Sequence, residues 1–173
     1  MVETAVFVIF PFCMAFAAVS DMISMTIANR VSLLLAGTFF VLALLTGMPL
    51  SEMGLHLAAG SVVLLGTFAL FALGGLGGGD AKLMAATAVW FGLDASLVDY
   101  LATSTLLGGA LTLTLLAYRK SPLAAFTGNN LLLRNCADAQ AGIPYGIALG
   151  IGGLLTYTQT PLVQWAVERL SAV

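Results

Sequence analysis

The stretch "GGLGGGDAK", Gly74 to Lys82, lies between two apolar runs and sets a carboxylate, Asp80, and an ammonium, Lys82, directly after a glycine cluster. Three readings compete for it: a phosphate-cradling loop, an acidic helix cap, or half of a catalytic pair. A phosphate loop needs a Lys-Ser/Thr pair opening the helix, whereas Gly79 is followed by Asp80-Ala81-Lys82. A carboxylate in that place repels phosphate, so the nucleotide reading fails. Asp is a good N-cap, and its charge is favourable at a helix N-terminus. Near a bilayer, however, Gly or Ser caps at lower cost, and an ionisable group there is a functional hypothesis by default. Glycines at 77, 78 and 79 also clear side chains from beside the carboxylate, so that a peptide backbone can come close.

The surrounding composition makes lipid the natural solvent. Of 173 residues, 60% are hydrophobic and only 8% are charged, too few to cover a soluble domain with polar surface. A net charge of −2 leaves no basic surface for nucleic acid and no acidic tail. Cys13 lies in an apolar run and Cys136 in a polar loop, which fits neither a disulfide framework nor zinc-ligand spacing. The first apolar run has Glu3 as its only early charge and lacks a basic n-region, so it reads as a retained helix rather than a signal peptide. The expectation is an all-α, polytopic inner-membrane protein, one membrane-embedded domain over residues 1–173.

A membrane helix needs about 20 mainly apolar residues. Six segments qualify or come close, roughly 2–20, 31–48, 55–76, 81–93, 96–117 and 142–159, the fourth being short. Basic residues orient them. Arg30, Lys82, Arg119, Lys120 and Arg134 follow the first, third and fifth segments, and the opposite connections hold none. Asp21 and Asp80 therefore fall on one face, the cytoplasmic one. The longer connection, 118–141, joins them there; its "NNLLLRNCADAQ" reads either as a short interfacial helix presenting Leu131 to Leu133 or as an ordinary basic loop. His56, the sole histidine, falls at the other face as an interfacial or loop residue, which removes the base that a Ser-His or Cys-His nucleophile needs.

Asp21 opens the second polar element, "SDMISMTIANR", Ser20 to Arg30. Gly77-Gly78-Gly79-Asp80 resembles the Gly-x-Gly-Asp motif of intramembrane aspartyl peptidases, and Asp21 followed by Ile27-Ala28-Asn29 resembles the first-aspartate motif of the type IV prepilin peptidases. That motif often ends Ile-Pro-Asn, so Ala28 departs from it at a non-ionisable position. "IPYGIALG", Ile143 to Gly150, is similar to the Pro-aromatic-Gly segment opening the family's last helix. The resemblance spans nearly the whole chain. The Cys-x-x-Cys segment of long members is absent, which makes the chain similar to the short peptidases of tight-adherence (Flp) pili and leaves the family's N-methylation step unsupported.

The resemblance implies Asp21 and Asp80 as the catalytic pair and a Flp-type prepilin, a short basic leader followed by a hydrophobic helix, as substrate, with no metal or cofactor. Two close carboxylates cannot both ionise cheaply; they share a proton, one acting as general base on water and the other donating to the scissile carbonyl. Gly77 and Gly79 would admit substrate backbone. Lys82 is read as a partner for a substrate glutamate or as a topology anchor, and Asn29, with Arg30, as shaping the loop that carries Asp21. A small ion- or proton-coupled transporter, or a non-catalytic pilus-assembly protein, remains the alternative.

Overall fold

A computed structural model describes residues 1–127, 130 and 133–172 of the chain. Among them the structure is all-α, in the order α1 (Val2–Ser24), α2 (Asn29–Thr46), α3 (Leu50–Ala72), α4 (Gly78–Phe91), α5 (Ala95–Arg119), α6 (Pro122–Thr127), α7 (Arg134–Ala137), α8 (Tyr145–Thr156) and α9 (Pro161–Ser171). All six apolar segments form helices. Four of these, α1, α2, α3 and α5, are long and apolar enough to cross a membrane. The leucines expected on an interfacial helix fall partly outside the described residues; the described part of that connection holds α6 and α7.

The two short helices are the ones that position the site. With 14 and 12 residues, α4 and α8 rise only about 21 and 18 Å, against a hydrocarbon core of about 30 Å. Glycines bound α4, with Gly77 at its N-cap and Gly92, at φ 74°, at its C-cap. Most of α4 is buried from Asp80 to Phe91, against α2 and α3 on one side and α8 on another. A helix wrapped by protein need not match the bilayer; its neighbours do that for it.

The far end of α4 is pinned by side chains. Trp90, fully buried, donates its Nε1–H to the Leu35 carbonyl of α2 at 2.9 Å. His56 of α3 places Nδ1 2.7 Å from the Val89 carbonyl, one of the last four of α4 and so without an intrahelical donor. The His56 ring is 5% exposed and lies 4.6 Å from the Phe39 ring. This corrects the sequence expectation: His56 is a core residue that caps a helix, not an interfacial one. The polar residue was placed at an interface because hydropathy says nothing about a carbonyl waiting inside.

Helix α8 is held by its lack of side chains. A Cβ at Gly150 would lie 2.9 Å from both the Met14 carbonyl oxygen and the Ala18 Cβ of α1. Gly146, Gly150 and Gly153, spaced four and three residues apart, form one face on which α1 and α8 approach closely, as small residues permit inside a bilayer. On the opposite side Gly152 faces Ser104 of α5, and Gly108 of α5 admits the Tyr145 ring. The last helix, α9, was not anticipated: it buries Leu162, Val163 and Ala166, and Arg169 pairs with Glu3 of α1 at 3.4 Å. Its signal was Pro161 followed by helically spaced apolar residues, a pattern a search for 20-residue spans passes over.

Gly150→Ala should lower stability in detergent by about 1–3 kcal/mol through overpacking against α1. Gly66→Ala, where an added Cβ meets nothing within 4 Å, should be neutral or stabilising by up to about 1 kcal/mol. Denaturation of the two variants side by side checks the pair; equal behaviour would mean that the α1–α8 contact is looser than described.

Candidate active site

Asp21 sits one turn before the end of α1 and is 5% exposed. Its Oδ2 accepts the backbone N–H of Gly146, in the first turn of α8, at 2.7 Å. No other residue type fits at Gly146: a Cβ there would lie 2.8 Å from the Asp21 Cβ and 2.9 Å from Ile27 Cδ1. Beyond Asp21 the chain turns sharply. Met25 adopts a left-handed conformation (φ 54°) and its amide closes on the Asp21 carbonyl at 2.8 Å. Ser20 Oγ donates to the Thr26 carbonyl at 2.9 Å and Ser24 Oγ to the Ser20 carbonyl at 2.7 Å. Ala28, the N-cap of α2, has φ −65°. That is the angle a proline ring imposes, so the departure from Ile-Pro-Asn leaves the backbone angle at this residue as proline would set it.

Asp80 is the third residue of α4 and is 9% exposed. It is not the N-cap; Gly77 is, in an extended conformation. The Asp80 carboxylate turns back over Gly77, in the sense of a capping box, so closely that a Cβ on Gly77 would lie 2.6 Å from Oδ2. Its Oδ1 is buried and has no hydrogen-bond partner among the described residues. Gly79 packs on the other polar segment: a Cβ there would lie 3.2 Å from the Ile27 Cβ and 3.4 Å from the Ile27 amide nitrogen. Glycine at 79 thus lets the two aspartate-bearing segments touch.

Asp21 and Asp80 line one cavity of about 730 Å³, together with Gly77, Met25, Thr105 and Tyr145. No lysine, arginine or histidine lines it, and no cluster of potential metal ligands occurs among the described residues. Two buried carboxylates in such a place hold one proton between them more cheaply than two charges. The arrangement can activate a water and protonate a carbonyl at once.

Lys82 and Asn29 go elsewhere. Lys82 Nζ donates to Asn29 Oδ1 at 2.9 Å, and both line a separate groove among α2, α3 and α4. Two residues along a helix is about 200° of rotation, which puts Lys82 on the face of α4 away from Asp80. Their pairing does tie the start of α2, and so the Asp21 loop, to α4.

Sequence reasoning missed three contributors. Gly146 lay within the motif "IPYGIALG", but only the fold shows its amide on Asp21. Arg119, read as a charge anchor, ends α5 and donates to four carbonyls of the approach to α8: Cys136 (3.0 Å), Ala141 (3.0 Å), Asn135 (3.2 Å) and Gly142 (2.8 Å). Its rigid fork of donors suits that task where a lysine's would not. Asn135 in turn donates Nδ2–H to the Ile23 carbonyl of α1 at 2.6 Å. Carbonyl partners scattered over the fold leave no mark in a sequence.

The model of the type IV leader peptidase family matches residues 8–113, which include both aspartates. No curated protein and no solved structure matches the chain.

Substitutions at the glycines should separate by what each would strike. Gly146→Ala and Gly77→Ala push directly on a carboxylate and should each cut peptide-bond cleavage on the order of a hundredfold, the effect of an ångström-scale misplacement. Gly79→Ala needs Ile27 to yield only a few tenths of an ångström and should cost less. Gly78→Ala meets only the Phe71 ring, which is 45% exposed and can swing aside, and should be tolerated. Cleavage rates measured with melting temperatures for all four check the order; a uniform loss tracking stability would contradict it.

Proposed function

The chain belongs to the type IV leader peptidase family, and we propose that it is a membrane aspartyl endopeptidase that removes the leader of Flp-type prepilins at the cytoplasmic face, for pilus biogenesis. The observation that carries the reading is the placement of Asp21 and Asp80, from opposite ends of a 60-residue stretch of helices, on one cavity that no cation lines among the described residues. A structural pair would be neutralised; a hydrolytic pair is left to share a proton. The excess of lysine and arginine in the connections on the aspartate side supports a cytoplasmic site in the inner membrane. No Cys-x-x-Cys pair lies between Asp21 and Asp80, which supports a Flp-type substrate.

In this mechanism the prepilin's hydrophobic helix stays in lipid while its leader junction enters the cavity. The Gly146 N–H can donate only to a lone pair, so Asp21 Oδ2 is an acceptor oxygen throughout. The shared proton then resides on Asp21 Oδ1 or on Asp80. The ionised partner takes a proton from water as the oxygen attacks the scissile carbonyl, and the protonated partner donates to the carbonyl oxygen. On collapse of the tetrahedral diol, the proton taken from water passes to the leaving amine and one diol hydroxyl returns its proton to the carboxylate pair. The atoms balance with water as the sole co-reactant.

Asp21→Asn and Asp80→Asn should each lower cleavage of a purified Flp-type prepilin in detergent by at least about a hundredfold, the scale of acid–base catalysis. Both should leave expression and membrane insertion intact, since asparagine keeps the size. Appreciable turnover by either variant would remove that aspartate from the mechanism. Failure of the native protein to cleave would sink the peptidase reading itself.

A further inference from the structure

A second cavity, on the far side of α4 from the aspartates, takes no part in the peptidase mechanism. It is a groove of about 450 Å³ lined from Asn29 to Ala36 of α2, Leu57 to Leu64 of α3 and Lys82 to Val89 of α4. Each stretch covers two helical turns, about 10 Å. A volume of about 450 Å³ over that length leaves room for an extended acyl chain.

Polarity is graded along the groove. Gly60, Ala85 and Ala86 make a buried floor of small residues, and Leu33, Leu57 and Leu64 stand exposed along its walls. Lys82 and Asn29 stand at one end. Lys82 is exposed and its ammonium spends one donor on Asn29 Oδ1, leaving two. Ion pairs among the described residues are confined to Glu3, at the other end of α1, so no carboxylate neutralises Lys82. Asn29 is the first residue of α2, whose N-cap Ala28 offers no side-chain acceptor, so the positive end of that helix adds to the lysine.

We propose that this groove is a binding site for an anionic phospholipid, its phosphate held by Lys82 and the start of α2 and one acyl chain lying along Leu33, Ala36, Leu57 and Leu64. Basic pockets between membrane helices take such headgroups. The site is independent of the peptidase reading, because it faces away from Asp21 and Asp80. Its occupant ties the first turn of α4 to the headgroup layer and so fixes the depth at which Asp80 meets the membrane surface.

The test is native mass spectrometry of the intact protein released from micelles containing equimolar phosphatidylglycerol and phosphatidylcholine. The native chain should retain phosphatidylglycerol about fivefold over phosphatidylcholine, the preference expected of one lysine. Lys82→Gln should erase that preference, Arg169→Gln should keep it, and Ala36→Phe, which fills the groove, should lower retention of both lipids. Millimolar glycerol phosphate should not displace the bound lipid. A preference that survives Lys82→Gln, or is lost equally in Arg169→Gln, overturns the assignment. Displacement by glycerol phosphate, or by a peptide of a prepilin's hydrophobic segment, would also overturn it, in favour of a headgroup-only or a peptide site.

Discussion

Two carboxylates buried in one cavity, with no cation lining it among the described residues, govern how the rest of this bundle is built. Like charges brought to one buried cavity repel, and burial disfavours each charge by itself. Left to itself, a membrane protein would separate such groups or expose them. Here neighbouring helices hold them together, and the devices that do so are mostly missing side chains. Gly146 lets α8 come down on Asp21, Gly77 lets the Asp80 carboxylate fold back, and Gly79 lets the start of α4 sit on Ile27. Each replaces a side chain by a close backbone approach. The carboxylates thus gain a fixed frame without gaining a counter-charge.

The frame has its own supports. The N-terminal turn of α4 carries Asp80, and its other end is pinned by Trp90 on the Leu35 carbonyl and His56 on the Val89 carbonyl. On the Asp21 side, Arg119 gathers the chain ahead of α8 through four carbonyls, and Asn135 fastens the same segment to the last turn of α1. Polar side chains that bond backbone carbonyls are thereby satisfied within the fold and are not drawn to the aspartates.

How much of this was legible in the sequence depends on the range of the interaction. Helical segments declare themselves by local hydropathy, and all six were found, although α4 and α8 fall short of a full crossing. Asp21 and Asp80 stood out because ionisable groups are rare in such a chain. The positive-inside bias placed both on one side, and the fold brings them to one cavity. Lys82 and Asn29 were grouped with them by proximity in sequence, yet helical rotation carries Lys82 to the opposite face of α4. His56 and Arg119 could not be read correctly, because their partners are backbone carbonyls, which every residue has. The glycines of α8 were visible only as a motif; that they face α1 is a fact of packing.

The central claim, that Asp21 and Asp80 face one cavity, is tested most directly by linking the two positions. With Cys13 and Cys136 replaced, a chain carrying Asp21→Cys and Asp80→Cys should react in membranes with a short bifunctional thiol reagent to give one intramolecular link. Mass spectrometry of the intact chain should then show a single linker and two consumed thiols. Two half-reacted linkers per chain, with both sites modified separately, would place the aspartates apart and contradict the account.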